Sequence, residues 1–151
     1  MTSQLTPELM SWVGKSMPPV TEKVSRRDIR HYSIATDQRL EKYLRGDEAP
    51  PMFYQRFFVE IATLDRLQDD GHVEDPIVPD LPLKRVMAGG CETVFHRPIR
   101  PEENLTATRT VVEMYERQGR TGPLIFVVIE LKIDGEDGKP VVVERYTRIA
   151  R

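Results

Sequence analysis

The second half of the chain constrains the fold most. Residues 84–150 divide into four segments rich in β-branched and aromatic side chains, about 84–97, 103–117, 123–134 and 140–150. The loops Arg117–Gly122 and Asp134–Lys139 contain glycines suited to hairpin turns. In the third segment Ile125, Val127, Ile129, Leu131 and Ile133 occupy alternate positions. Successive side chains of a strand point to opposite faces, so these residues share the face that packs on a core. Leu124, Phe126 and Val128 make the other face apolar too, up to Glu130. A strand apolar on both faces needs cover on the second, and a partner subunit is the economical source.

The first of these segments is interrupted by Gly89-Gly90, with Val86, Met87, Cys91, Val94 and Phe95 around the pair. An interior glycine weakens a strand, so it marks a bulge or a close approach by a ligand or another backbone. The segment stops before Pro98.

The first half reads as helix and loop. Thr6-Pro7 suits a helix start, because threonine caps and proline fits the first helical position. Leu9, Met10, Trp12 and Val13 give this helix an apolar side, and Gly14 ends it. Val20–Val24 reads as a short edge strand. Ser25-Arg26-Arg27-Asp28 has capping-box spacing, and Ile29, Tyr32, Ser33 and Thr36 follow at helical intervals. Residues 37–51 are polar and end in Ala49-Pro50-Pro51, which predicts an irregular segment. Over 52–69, Phe53, Phe57, Ile61 and Leu64 recur three and four apart, while Tyr54, Phe58, Val59 and Ala62 widen the apolar zone. This spacing predicts a long helix whose first half is buried. Helices followed by sequential strands joined by short hairpins define an α+β fold, here one antiparallel sheet curled around a long central helix over residues 1–151.

Net charge is −2, with basic and acidic residues interleaved, so nothing predicts nucleic-acid binding. No apolar run approaches the length of a membrane helix, and the first ten residues lack the basic start and apolar stretch of a signal peptide. The one cysteine, Cys91, rules out an intramolecular disulfide and suits a reducing cytoplasm. Within an apolar strand it reads as a small buried hydrophobe. No phosphate-binding loop, zinc-ligand spacing or Ser-His-Asp arrangement is present, so no cofactor is expected.

Several blocks carry a family resemblance: PPVTEKVSRRDIRHYSIAT, APPMF, LPLKRVMAGG, VFHRPIRPEENL, GRTGPLIFVVIELKI and VVVERYTRIAR, in this order along nearly the whole chain. The sequence resembles the MaoC-like (R)-specific enoyl-CoA hydratases and dehydratases, and among them the N-terminal halves labelled FAS1-like dehydratase. The resemblance implies a hotdog fold that dimerises by joining sheets edge to edge. It also implies a hydro-lyase acting at the α,β position of an acyl thioester, CoA or acyl carrier protein. In the family an Asp and a His in a Gly-Asp-x-Asn-Pro-x-His motif act on the catalytic water. Here that stretch reads Ala35-Thr36-Asp37-Gln38-Arg39-Leu40-Glu41-Lys42. Asp37 matches the family's Asp, but no Asn-Pro follows and no histidine stands within the next thirty residues. His31, His72 and His96 have neither the spacing nor a neighbouring group for a catalytic base.

In members built from two hotdogs, one half keeps the pair and the other shapes the acyl tunnel. The resemblance therefore implies an accessory subunit that binds the acyl chain and pairs with a separate catalytic MaoC-like subunit. The expected tunnel wall comprises Met52, Phe53, Tyr54 and Phe57 on the central helix, with Met87, Gly89, Gly90 and Phe95 opposite and residues 37–51 as a lid. Two alternatives stand beside this reading. One is a self-sufficient hotdog enzyme working as a self-dimer, either a hydratase with an altered site or a thioesterase using Glu60 or Asp65. The other is a non-enzymatic acyl-CoA binding module.

Overall fold

The strands form where alternation places them. In the computed structural model, which describes residues 3–57, 60–69 and 71–151, the elements are α1 (Pro7–Met10), β1 (Val20–Lys23), α2 (Arg26–Ala35), α3 (Glu41–Leu44), β2 (Val86–Phe95), β3 (Asn104–Gly119), β4 (Gly122–Asp134) and β5 (Pro140–Ala150). Two short 3₁₀ helices, Pro51–Phe57 and Leu64–Arg66, lie between α3 and β2. The sheet order is β1-β3-β4-β5-β2, and every pairing is antiparallel.

The alternating residues of β4 face a buried interior, as their period predicts. That inner face carries two clusters. At one end Val24, Ile29, Phe53, Tyr54, Leu105, Leu131, Ile133 and Val142 pack together. At the other, Ile77, Leu81, Val111, Met114, Ile125 and Val127 are buried, with Leu9 and Trp12 against them. The caps act as the sequence indicates: the Thr6 hydroxyl accepts from the Leu9 N–H at 3.2 Å, and the Ser25 hydroxyl from the Asp28 N–H at 3.0 Å. Each satisfies an orphan donor of a helix start. On the outer face Val128 is buried, and the rings of Tyr115 and Phe126 stack at 4.7 Å.

The α+β hotdog sheet is present, but the long central helix is not. Among the described residues of 52–69, only 52–57 and 64–66 are helical, both as 3₁₀ turns. Phe58 and Val59 lie outside the described residues. Phe53 and Tyr54 plug the cluster beside α2, while Ile61 is 98% and Leu64 86% exposed. Among the described residues nothing buries Ile61 or Leu64, the second half of the periodic stripe. An isolated helix is marginal without such packing, and the aromatic and β-branched residues of this stretch lose side-chain freedom in one. Residues 37–51 also differ from expectation: α3 forms within them, and Tyr43 and Ala49 are buried, so this segment is packed structure rather than a polar lid.

Candidate functional site

Where a central helix was expected, the inner face of the sheet carries a polar cluster and an open cavity. The cluster lies under the Pro51–Phe57 turn. Glu144, on the inner face of β5, is only 3% exposed. Its carboxyl accepts a hydrogen bond from the Tyr54 hydroxyl and one from Thr93 at 3.4 Å. The Tyr54 and Thr93 hydroxyls lie 3.1 Å apart. Burial, then the hydrogen bond to Glu144, pushes the Tyr54 phenol well above its usual range. Phe95 meets the Tyr54 ring edge-on at 5.8 Å. Cys91 Sγ sits 3.6 Å from the Thr93 hydroxyl. The thiol is exposed, contrary to the buried hydrophobe expected, because β2 is a sheet edge. Its pKa is nonetheless raised, first by partial desolvation.

The cavity, about 890 Å³, lies between the inner face and the segment 60–84. Ala88, Arg109, Tyr146 and Arg148 line it from the sheet; Val78, Leu81 and Leu83 line it from the segment. Arg109 is held by Asp75 in a two-pronged pair at 3.0 and 2.6 Å. A smaller hollow of about 520 Å³ lies around Gly90, Glu113, Tyr115, Val128 and Arg145.

The residues singled out from the sequence divide between these places. Phe53 and Tyr54 are wholly buried, and Phe57 packs against their cluster. Met52, Met87 and Phe95 are exposed, and Met87 lines the larger cavity. Gly89 sits at the register shift between β2 and β5. A Cβ there would come within 2.8 Å of Ile149. Gly90, with φ at 150°, lines the smaller hollow. The structure thus brings Tyr54 and Phe95 together but sets Met87 apart from the 51–57 turn, on a different cavity. Asp37 is exposed and bound to Arg39 at 2.8 Å. His31, His72 and His96 are exposed. Glu60 pairs with Arg66 at 2.6 Å, and Asp65 is exposed. Among the described residues no group of acidic, Cys or His side chains could hold a metal, and no helix is long and apolar enough to cross a membrane.

The sequence reading missed Glu144, Tyr146 and Arg148. They stand at alternate positions of β5, in the same inward register as Val142 and Ala150. Polar residues at core-facing positions of a strand were the available signal.

The fold and this inner-face site define a hotdog protein. A profile described as "FAS1-like, dehydratase domain region" matches residues 11–144, and the chain belongs to this family, within the MaoC-like hydratases and dehydratases. It is similar to the mesaconyl-C(4)-CoA hydratase of Chloroflexus aurantiacus, with 28% identity over 129 residues covering 82% of the chain. The chain spans 44% of the length of that relative. In fold it is similar to the ChsH1-ChsH2 complex of Mycobacterium tuberculosis, with a TM-score of 0.68 and 18% identity over 89% of this chain and 88% of that one. It is likewise similar to R-hydratase PhaJ1 of Pseudomonas aeruginosa, with a TM-score of 0.60 and 17% identity over 91% and 81%.

Proposed function

We propose that the chain is the accessory, acyl-chain-binding subunit of a heteromeric (R)-specific enoyl-thioester hydratase or 3-hydroxyacyl-thioester dehydratase. The observation that carries the proposal is the state of the expected catalytic position. Asp37 lies in solvent with its carboxylate on Arg39. Water addition needs a base held within hydrogen-bond reach of the attacking water, and a solvated carboxylate neutralised by arginine is poorly placed for that. Meanwhile the inner face offers a cavity of the size that takes a small ligand.

The chemistry then belongs to a MaoC-like partner with an intact Asp/His pair. Three features support a partner. Among the described residues no strand pairs with the edge of β2 opposite β5. Val86, Met87, Val94 and Phe95 on β2 are exposed apolar residues. Ile61 and Leu64 are almost wholly exposed. Long apolar edges and isolated apolar stripes are what natural sheets bury in assembly. That one fold neighbour is itself a complex of two named chains agrees with this.

In this reading Met87 offers apolar surface to the acyl chain in the larger cavity, and Met52 and Phe95, which do not line it, are no part of that wall. The space at Gly89 is taken by Ile149 and Gly90 lines the smaller hollow, so the glycines serve the packing of β2 on β5, while the buried Phe53 and Tyr54, with the partly buried Phe57, form the core beside the site. The name of the curated relative supports a CoA thioester as the substrate. An assay of the purified chain on crotonyl-CoA and a longer enoyl-CoA tests the proposal. Negligible hydration is expected. Turnover at an ordinary enzyme rate that disappears in Asp37→Ala would overturn the non-catalytic role.

A further inference from the structure

The larger cavity is lined by a cation, Arg148, for which the described residues supply no ion-pair partner. Arg148 lies on the inner face of β5, between Ala88 of β2 and Val127 of β4. Its Nε is buried without a hydrogen-bond partner, and no described residue forms an ion pair with it. The other charges around the cavity are accounted for differently. Arg109 has both terminal nitrogens on Asp75, and Lys84 is paired with Asp80 at 2.5 Å. Glu60 is paired with Arg66, and Glu74 is exposed. A guanidinium stays charged at any physiological pH, and in the partly buried Arg148 the Nε has lost water that only an acceptor entering the cavity can replace. The Arg109–Asp75 pair shows which partner this cavity accommodates: a planar carboxylate gripped by two N–H groups.

We propose that Arg148 receives the terminal carboxylate of a dicarboxylic acyl thioester. The assignment rests on the acyl-binding role above and names its substrate class. Charge and polarity select an acyl carboxylate over the phosphates of the carrier. Among the described residues lining the cavity Arg148 is the cation without an ion pair, matching one carboxylate, whereas carrier phosphates bring several charges. The apolar lining from Val78, Leu81, Leu83 and Met87 suits the carbon chain between thioester and carboxylate.

Calorimetric binding to the full chain tests this with matched probes: succinyl-CoA against butyryl-CoA, adipyl-CoA against hexanoyl-CoA, and free CoA. The expected result is that at least one dicarboxylic thioester binds about tenfold or more tightly than its neutral counterpart, which is about 1.4 kcal/mol. In Arg148→Gln that difference disappears; in Arg148→Lys part of it remains. Equal affinities within both pairs for the wild-type chain overturn the assignment, whatever the variants do. So does a difference that survives Arg148→Gln. A uniform loss for free CoA and all thioesters in Arg148→Gln hands the arginine to the carrier's phosphates and also overturns it. Binding of none of the thioesters overturns the acyl-binding role itself, which separates that failure from this one.

Discussion

At the scale of single residues, the inner face is organised around a carboxyl group buried with hydroxyl donors. Tyr54 holds Glu144 from the 3₁₀ turn while Thr93 holds it from the neighbouring strand. Removing one partner of a buried hydrogen bond leaves the other with its full desolvation cost. Tyr54→Phe is therefore expected to lower stability by about 1–3 kcal/mol, measured by denaturant unfolding. The same residue sets a pH dependence. Its folded pKa is raised, so the folded chain keeps the phenol proton where an unfolded tyrosine, near pH 10, releases it. The stability that depends on this proton is complete below about pH 10 and is lost as the pH rises through and beyond it. Unfolding curves from pH 8 to 11 should fall more steeply for the wild type than for Tyr54→Phe. Parallel curves would show that the phenol contributes nothing to the alkaline loss. None of this cluster was legible as a unit. Tyr54 was visible as an aromatic side chain of the predicted wall, but the residue it meets is 90 positions away; the packing of the Pro51–Phe57 turn on the sheet brings Tyr54 to Glu144, and the register of β2 on β5 adds Thr93.

At the scale of elements, strands and helix starts were readable and the middle of the chain was not. The hairpin strands fall within a few residues of their alternating segments, because a period of two tied to one buried face leaves little freedom of register. Thr6 and Ser25 cap where their side chains allow it. Residues 52–69 show the limit of periodicity: a helical stripe forms a helix only if something packs on it, and here the sheet buries Phe53 and Tyr54 but offers nothing to Ile61 and Leu64. Cys91 failed for a related reason. An apolar strand segment predicts burial, but β2 is at the edge and both its faces are largely open. The same exposure yields a test. If β2 is the seam of the assembly, sedimentation velocity at micromolar concentration should show a dimer, either of the chain alone or of the chain mixed with a catalytic MaoC-like subunit. Val94→Lys should shift it toward monomer while changing unfolding stability by less than about 0.5 kcal/mol, as for a surface substitution. A wild-type chain that stays monomeric both alone and with that subunit contradicts the seam.

For the whole molecule, the family was legible from short blocks spread along nearly the full length, and the profile match over residues 11–144 agrees with them. The proposed division of labour was legible only as an absence, the missing histidine after Asp37, beside which the structure sets an ion pair of that aspartate with Arg39. What remained hidden was the shape of the binding region. It depends on how the segment 60–84 stands off the sheet, which no local pattern encodes. The account rests on one claim: this chain binds the acyl group and another subunit performs the chemistry. The most direct measurement titrates the purified chain into a MaoC-like subunit with an intact Asp/His pair and follows enoyl-CoA hydration. The account predicts negligible turnover by the chain alone, and activity that rises with added chain to a plateau near equimolar ratio, unchanged by Asp37→Ala. Turnover by the chain alone within the usual range of about 1–10³ s⁻¹, abolished by Asp37→Ala and indifferent to the second subunit, would contradict it.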